Sequence, residues 1–437
     1  MRLPNIAQLL AKEFRELFTT RAFWLLLLIV GLLVGHGFIT AVQLYSEMSG
    51  NGGPAALPQG LSSLDGVLVP AWGAYDLAAT LLFPFVAIRM ISAEKESGAL
   101  KLLLQLPRSL LTKLTVKSFV LLCAWVIAWL PGLAAIVLWR SYGGHLYAPE
   151  TLNLLLGHLL RGLLSGALAL AFAAVTESAA SAAILTLAFT VGTWALDFIA
   201  AGRGGLVQQL ATYTPTAALR SFEQGLLRFN VALVLLLLSC AAVGVAAIWL
   251  DTGRAFTSRL WRSLLLVFVT AGLVWGAANV RRSWDVSENR RNSFSTADEA
   301  LLRGVDQPLK ITVFLAPEDP RLTDFEQNVL RKLRRSLHKL DVEYAATSRS
   351  GLFENAEDHY GEIWYELGGQ KAVEPSTIEE VVLDQIYTLA NVSSPERATD
   401  GGFPGFPLAT QPKYASAIFY LFWPLLVIVC WVMEYRK

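Results

Sequence analysis

Long apolar runs recur along most of the chain and define its organisation. Crossing about 30 Å of hydrocarbon takes roughly 20 apolar residues in a helix, and eight runs of about that length are present. They cover residues 22–45, 72–91, 114–139, 152–175, 181–200, 231–250, 264–280 and 414–433. The pattern predicts an α-helical integral membrane protein with about eight transmembrane helices.

A shorter amphipathic segment, residues 5–19, precedes the first run. Its apolar side chains share one helical face and its polar side chains lie opposite, which is typical of a helix in the membrane interface. The apolar face consists of Ile6, Leu9, Leu10, Phe14, Leu17 and Phe18. The alternative is a simple continuation of the first span, which the polar face disfavours.

Residues 283–413 break the apolar pattern. Strand-like runs at 309–315, 341–346 and 362–367 alternate with helical periodicity at 323–340 and 378–391, which predicts a mixed α/β domain. This stretch holds 14 basic and 22 acidic residues, whereas the whole chain is 54% hydrophobic and only 16% charged. The remainder of the chain is therefore too apolar for an ordinary soluble enzyme.

Basic residues in the short loops set the predicted orientation. With the N-terminus inside, 15 Lys and Arg residues fall on the inner side and six on the outer side, and such an excess marks the cytoplasmic face. Both termini are then cytoplasmic, and the α/β domain is extracytoplasmic. The predicted division is an interfacial helix at 1–21, a six-span domain at 22–250, a cytoplasmic linker and seventh span at 251–282, the α/β domain at 283–413, and the eighth span with its tail at 414–437.

The sequence carries no catalytic signature. The phosphate-binding pattern G-x-x-x-x-G-K-[ST] and the zinc pattern H-E-x-x-H are both absent, and the three cysteines lie in apolar runs without disulfide or metal spacing. The pair Asp358 and His359 is more typical of a solvated loop than of a catalytic base or a metal site. We expect no catalytic residue, no metal site and no nucleic-acid partner.

The loop after the second run, residues 91–108, is the most distinctive inner segment. A charged Glu-Lys-Glu cluster and a glycine precede a short apolar helix that a proline ends. Such a helix offers charged and apolar contacts to a partner's groove; the alternative is a solvated loop whose helix packs on the bilayer. The candidate contact residues are Glu94, Lys95, Glu96, Gly98, Leu100, Leu103, Leu104 and Pro107.

This loop resembles the inner loop of type-2 ABC exporter permeases, which reads roughly E-x-E-x-G-[TS]-[LA]-x-x-L-L-x-x-P. Residues 1–250 are also similar to the plan of that family, with an interfacial helix, six spans and an outer segment before the sixth span. The outer segment contains Thr212-Tyr213-Thr214-Pro215, similar to the proline-containing re-entrant region of these permeases. The resemblance implies that the loop couples to a separate ATPase, which binds ATP and Mg, so that this chain binds no cofactor itself.

The α/β domain resembles the auxiliary subunit of gliding-motility-type ABC systems. Residues 285–295 and the strand at 309–314 are similar to the tract D-L-T-x-x-K-R-[YF]-[ST]-L-S and the strand that follows it in that subunit. Asn-Ser-Phe-Ser at 292–295 departs from the tract, and the domain is much shorter than is usual for the family. The resemblance implies a gliding-motility-type permease fused to a shortened auxiliary subunit.

Ionisable side chains within the spans form a second candidate site. A charge at bilayer depth is costly and usually faces a cavity or a partner charge. Asp76, Arg161 and Asp197 are therefore candidates for an intramembrane polar path, and His158 shares a helical face with Arg161. Anchoring at the interface is the alternative for both aspartates, because each falls near the outer end of its predicted run.

Pattern and resemblance together predict the membrane subunit of an ATP-driven exporter in the bacterial inner membrane. We expect a homodimer or paired permease with two copies of a separate ATPase, in contact with membrane lipids and with an envelope partner at the α/β domain. The alternative is a non-transport mechanical or scaffolding component of an ATP-driven envelope complex. A secondary transporter is disfavoured because no pair of broken ion-binding helices is evident.

Overall fold

Eight long helices form most of the structure. The computed structural model describes residues 6–50, 62–105, 109–200, 206–251, 253–280, 282–316, 319–337, 339–345, 359–395, 403 and 405–436. Within these ranges, eight helices are long and apolar enough to cross a membrane, which confirms the predicted spans. They are Arg21–Gly50, Leu64–Glu96, Leu110–Ser141, Ala148–Val175, Ala179–Ala200, Phe229–Leu250, Phe256–Ala278 and Ala415–Tyr435.

Irregular turns interrupt the second and third spans. The third span consists of two helices, Leu110–Ile127 and Leu130–Ser141, and Pro131 lies in the first turn of the second one, where its missing N–H ends the ladder from the preceding turn. The second span begins with a π-helical turn at Leu64–Leu68 and continues as Val69–Glu96, with Pro84 inside it. Proline removes the backbone hydrogen bond to the residue four positions earlier, so the helix is weakened beside Thr80.

The second and fourth spans form the centre of the bundle. They bury 61% and 67% of their most apolar segments, whereas the fifth, seventh and eighth spans bury 11% each. Large aromatic side chains, including Trp72, Tyr75 and Trp125, are fully buried between the central spans. The three peripheral spans leave most of their apolar surface for lipid or another protein.

The eighth span lies against the first through two glycines. A Cβ atom at Gly31 would lie 1.9 Å from the ring of Trp423, and one at Gly35 would lie 2.3 Å from Cβ of Phe419. The indole N–H of Trp423 donates to the carbonyl of Leu27 at 2.8 Å. Small residues allow transmembrane helices to approach this closely, so these two positions fix the contact.

The amphipathic N-terminal segment forms a helix of its own, Ile6–Thr19, which we call the interfacial helix. Thr20 separates it from the first span. Leu9 and Leu17 are buried against the bundle, and Glu13 between them is buried on the same face. The helix is therefore packed on protein along a face that also carries a charge.

A two-stranded ribbon joins the bundle to the α/β region. Strand β1 (Leu226–Arg228) precedes the sixth span, strand β2 (Ser283–Asp285) follows the seventh, and the two pair antiparallel. The returning chain is bonded at the same end of the bundle, because Tyr45 Oη donates to the carbonyl of Phe406 at 2.7 Å. The α/β region is thus attached at both its beginning and its end.

The α/β region contains a four-stranded mixed sheet with the order β4-β3-β5-β6. Its strands are β3 (Leu309–Val313), β4 (Leu340–Tyr344), β5 (Ile363–Leu367) and β6 (Gln370–Glu374), with β3 and β4 parallel and the other pairs antiparallel. The helices are Thr296–Arg303, Pro320–Phe325, a π-helical turn Glu326–Leu330, Arg331–Ser336 and Glu379–Ala390. Its hydrophobic core is separate from that of the spans.

Candidate functional site

Two lysines and three glutamates meet where the interfacial helix packs against the second and third spans. Lys117 Nζ lies 2.7 Å from Glu13 Oε2 and 2.9 Å from Glu94 Oε1. Lys12 Nζ pairs with the same oxygen of Glu94 and lies 3.1 Å from Glu13 and 3.0 Å from Glu16. Glu13, Glu94 and Lys117 are buried. We call these five residues the inner ion cluster.

Charge compensation holds the inner ion cluster together. Burial by itself would lower the pKa of Lys12, but its hydrogen bond to Glu94 and the charge of Glu13 outweigh burial and raise that pKa. Burial raises the pKa of Glu16, and its bond to Lys12 offsets part of the effect. Because a buried charge that loses its partner is strongly destabilising, the cluster ties three helices to one another.

Lys95 closes the inner end of the fourth span. Its ammonium group donates to the carbonyls of Ala173, Ala174 and Thr176 at 2.6, 2.9 and 2.7 Å. The last carbonyls of a helix have no partner within the helix and carry the negative end of its dipole. The ammonium group of Lys95 is therefore bonded to carbonyls of the same chain, whereas its neighbour Glu96 is exposed.

The inner helix, Ala99–Gln105, has two different faces. It follows Gly98, whose φ of +71° suits glycine. Leu100 is buried in the core of the bundle, and the carbonyl of Leu103 accepts a hydrogen bond from Lys113 at 2.6 Å. Leu102 on the opposite face is 69% exposed. The helix is anchored on one side and open on the other.

A buried ion pair joins the second and fourth spans near their middles. Arg161 Nε lies 2.5 Å from Asp76 Oδ1. Thr80 Oγ1 accepts hydrogen bonds from Arg161 Nε at 3.3 Å and from Nη2 at 3.0 Å. The side chain of Arg161 is 3% exposed, and its Nη1 has no hydrogen-bond partner within the described residues. One end of the guanidinium group is therefore unsatisfied.

A small pocket adjoins Arg161 between the second, fourth and fifth spans, and Pro215 of the outer helix, Pro215–Glu223, closes part of it. Hydroxyl groups and apolar side chains share its wall. The residues around it are Thr80, Pro84, Arg161, Leu164, Ser165, Leu168, Thr186, Phe189, Thr190, Thr193, Trp194 and Pro215. Asp197 lies further along the fifth span and accepts a hydrogen bond from Thr214, which also caps the outer helix.

An interfacial helix, six spans and an outer helix before the sixth span occupy residues 6–250. The model of the ABC-2 family transporter proteins matches residues 7–250, which is more than half of the chain. The chain belongs to this ABC-2 family. No curated protein and no solved structure matches it.

As an ABC-2 family transporter protein, the chain is a membrane permease component of an ABC transporter and is not itself the catalytic subunit. The match ends at Leu250, so the seventh span, the α/β region and the eighth span lie beyond it. The inner ion cluster, the inner helix and the pocket at Arg161 all lie within the matched residues. All three features therefore belong to the permease domain.

The predicted coupling residues have different surroundings in this ABC-2 permease. Glu94 and Lys95 make internal contacts, Leu100 is buried, and Leu103 is half-buried. Glu96 is exposed, and Gly98 forms the turn before the inner helix. The Leu104 side chain and Pro107 lie outside the described residues.

The structure brings together two of the three predicted intramembrane residues. Asp76 and Arg161 form an ion pair, whereas Asp197 is bonded to Thr214. Asp76 is far from the end of its helix, because the second span begins at Leu64 instead of Trp72. His158 is buried against Trp72 and Tyr75.

Sequence reasoning missed Glu13, Lys117 and Thr80. The burial of Glu13 could have been predicted, because Glu13 lies four residues from both Leu9 and Leu17 and therefore on the apolar stripe of the interfacial helix. A charge on such a stripe needs a buried partner. Lys117 was counted only as an inner basic residue, and nothing in the sequence pairs it with a residue 104 positions away.

Proposed function

We propose that this ABC-2 permease is the membrane subunit of an ATP-driven exporter and that a separate ATPase binds to the inner helix, Ala99–Gln105. The observation that carries the proposal is the open face of that helix, where Leu102 is 69% exposed next to the exposed Lys101. An apolar anchor with charged neighbours suits a hydrophobic groove with a polar rim. Glu96, which ends the second span just before the turn at Gly98, is also exposed.

Three contacts support a route from the inner helix into the spans. Leu100 packs in the core of the bundle. Glu94 connects the second span to the interfacial helix and the third span, and Lys95 connects it to the end of the fourth span. A push on the inner helix would therefore displace several helices together, which is what coupling requires.

The proposed orientation places both termini and the inner helix in the cytoplasm and the α/β region outside the bacterial inner membrane. The distribution of 15 against six basic residues supports it. We also propose a complex of two permeases with two ATPases. The little-buried surfaces of the fifth, seventh and eighth spans are compatible with such pairing.

The α/β region is proposed to be a shortened auxiliary subunit of the gliding-motility type, fused to the permease. Its separate core and its position between the seventh and eighth spans support this assignment. The β1–β2 ribbon shows that the permease part and the α/β region share backbone hydrogen bonds. A fused subunit would need such a fixed connection, so the ribbon agrees with the proposal.

Co-purification with an ABC ATPase subunit produced in the same cells tests the docking site. Leu102→Glu should reduce ATPase capture at least tenfold, because a charge would enter the apolar groove. Leu210→Glu is the matched control, since Leu210 is 64% exposed in the helix Leu206–Ala211 on the opposite side of the bundle. Both variants should unfold at the temperature of the original chain. Full capture by Leu102→Glu, with full coupling of hydrolysis to transport, would remove the inner helix from this role.

A further inference from the structure

The unsatisfied end of Arg161 lies at the depth where a charge in a membrane is most costly. Arg161 is near the middle of the fourth span, Ala148–Val175, and its partner residue Thr80 is near the middle of the second, Leu64–Glu96. Asp76 compensates the charge of Arg161 through Nε. Within the part of the chain that the structure describes, Nη1 is left without an acceptor, and a buried donor without a partner is destabilising.

The unpaired N–H groups of a guanidinium group bind oxyanions preferentially. Its N–H groups form a planar fork that matches the oxygens of a phosphate or a carboxylate. Asp76 and Thr80 contact Nε and Nη2, so an oxyanion bound to Nη1 would leave both contacts in place. Nη1 itself is closed to solvent in this structure, so a ligand in the adjoining pocket reaches it only when a neighbouring side chain of the wall moves. Nε and Nη2 of Arg161 are thus held by Asp76 and Thr80, whereas the N–H groups of Nη1 remain as donors for a ligand.

The pocket beside Arg161 offers further polar groups. Thr186 and Thr190 donate their hydroxyl protons to carbonyls four residues earlier, at 2.8 and 3.0 Å. Their oxygens therefore remain as acceptors for an O–H or N–H of a ligand. Ser165 lines the same pocket from the fourth span. A head group with an oxyanion could accept a hydrogen bond from Arg161, and a hydroxyl or amino group on the same head group could donate to the threonine oxygens.

The size and the apolar part of the wall indicate an amphiphile. The cavity volume is about 30 Å³, two to three times what one water requires, which accommodates a polar group and no hydrocarbon chain. Phe189 and Trp194 of the fifth span form part of the wall, and this span buries only Ala182, Thr186 and Ala200. A hydrocarbon tail can therefore lie along the membrane-facing side of the fifth span.

We propose that this pocket binds the phosphate or carboxylate head group of a membrane amphiphile, with Arg161 Nη1 as the donor. The proposal that this ligand is a transported substrate rests on the exporter function proposed above. The proposal that the pocket binds the ligand does not rest on that function, because binding is measured on the purified chain without an ATPase. Failure of binding would therefore leave the permease assignment intact.

The test uses labelled dodecyl phosphate and the full chain, purified in maltoside micelles and immobilised. Ser165→Leu, which fills the pocket and leaves the ion pair intact, should weaken binding at least tenfold. The double variant Asp76→Asn with Arg161→Gln should do the same, and it avoids leaving one charge buried alone. Thr270→Val is the matched control, because Thr270 is a buried span threonine bonded to the carbonyl of Leu266 in the distant seventh span. It should bind dodecyl phosphate like the original chain.

Competition separates the sources of the oxyanion. Unlabelled dodecyl phosphate should displace the probe, whereas inorganic phosphate at the same concentration and a dodecyl ammonium compound should not. Equal competition by inorganic phosphate would overturn the amphiphile and leave a simple anion site. Absence of saturable binding, or unchanged binding by both pocket variants, would mean that the pocket holds only water.

Discussion

Lys117 and Glu13 are 104 residues apart in the sequence, yet their side chains form a buried ion pair with a distance of 2.7 Å between Nζ and Oε2. The pair attaches the interfacial helix to the third span. Glu94 of the second span contacts the same ammonium group. The N-terminal helix is consequently part of the folded bundle, and its loss would remove one of the two carboxylates that contact Lys117.

Removal of the Glu13 carboxylate should destabilise the protein strongly. In Glu13→Gln, Lys117 loses one of its two carboxylate partners and keeps Glu94 and the carbonyl of Met90, and we expect the free energy of unfolding to fall by about 3 kcal/mol. Glu16→Gln is the matched control, because the Glu16 side chain is 40% exposed, and it should cost less than about 1 kcal/mol. Unfolding in mixed detergent micelles measures both. Equal losses would show that burial of the pair does not matter.

The glycine contacts predict that the eighth span is sensitive to a single methyl group. Gly31→Ala places Cβ 1.9 Å from the nearest ring atom of Trp423, and overpacking of this kind costs about 1–3 kcal/mol. Gly272→Ala in the seventh span is the control, since no atom of the described residues lies within 4 Å of a Cβ there. The same unfolding assay compares them. Unchanged stability of Gly31→Ala would mean that the eighth span can shift without loss.

Cysteine labelling tests the proposed orientation. In a background without Cys123, Cys240 and Cys430, a cysteine replaces either Lys371 of β6, whose side chain is 66% exposed, or Thr257 at the opposite end of the bundle. An impermeant maleimide should label Lys371→Cys in intact cells and Thr257→Cys only after permeabilisation. The reverse pattern would invert the assignment of both termini.

Glu223 at the end of the outer helix should make stability depend on pH. Burial raises its pKa to about 7, and the charge of Asp76 adds to the effect while Arg161 and Arg220 oppose it. The unfolded chain ionises near 4.5, so the folded state holds this proton more tightly. The associated stability is complete below pH 4.5 and is lost as the pH rises through about 7.

Glu223→Gln should therefore reduce the dependence of stability on pH. We expect the original chain to lose about 1–2 kcal/mol between pH 5 and pH 8, after allowance for solvent screening at a half-buried group. The melting temperature in maltoside should fall over that range in the original chain and in Glu96→Gln, which changes an exposed residue. A slope that is unchanged in Glu223→Gln would assign the dependence to other groups.

Periodicity was sufficient to predict the spans and most of the α/β region. Apolar runs of helical length identify spans because burial in lipid demands them, and β3, β4 and β5 followed from alternating side chains. The edge strand β6, Gln370–Glu374, was missed because its side chains are mainly polar. Its only signal was Gly368-Gly369, a pair that suits a two-residue hairpin turn.

The surroundings of individual charges could not be predicted, because they depend on contacts between distant parts of the chain. Glu94 and Glu96 are alike in the sequence, yet one is buried with two lysines and the other is exposed. Asp76 looked close to an interface because the apolar run begins at Trp72, whereas the helix starts at Leu64 and includes the polar Asp65. Hydropathy indicates which segments can lie in lipid, and it gives no information on which charged side chains contact one another.

The β1–β2 ribbon makes a closed loop of the chain between its strands. Residues 229–282, which contain the sixth and seventh spans, leave and return at one clasp where Leu227 is paired with Trp284. The outer helix ends just before the clasp and begins at Pro215, which borders the pocket of Arg161. The outer helix and β1 therefore connect the α/β region to the rim of the pocket along a short stretch of chain that does not include the sixth and seventh spans. We expect a displacement of the α/β region to reach Pro215 by this stretch.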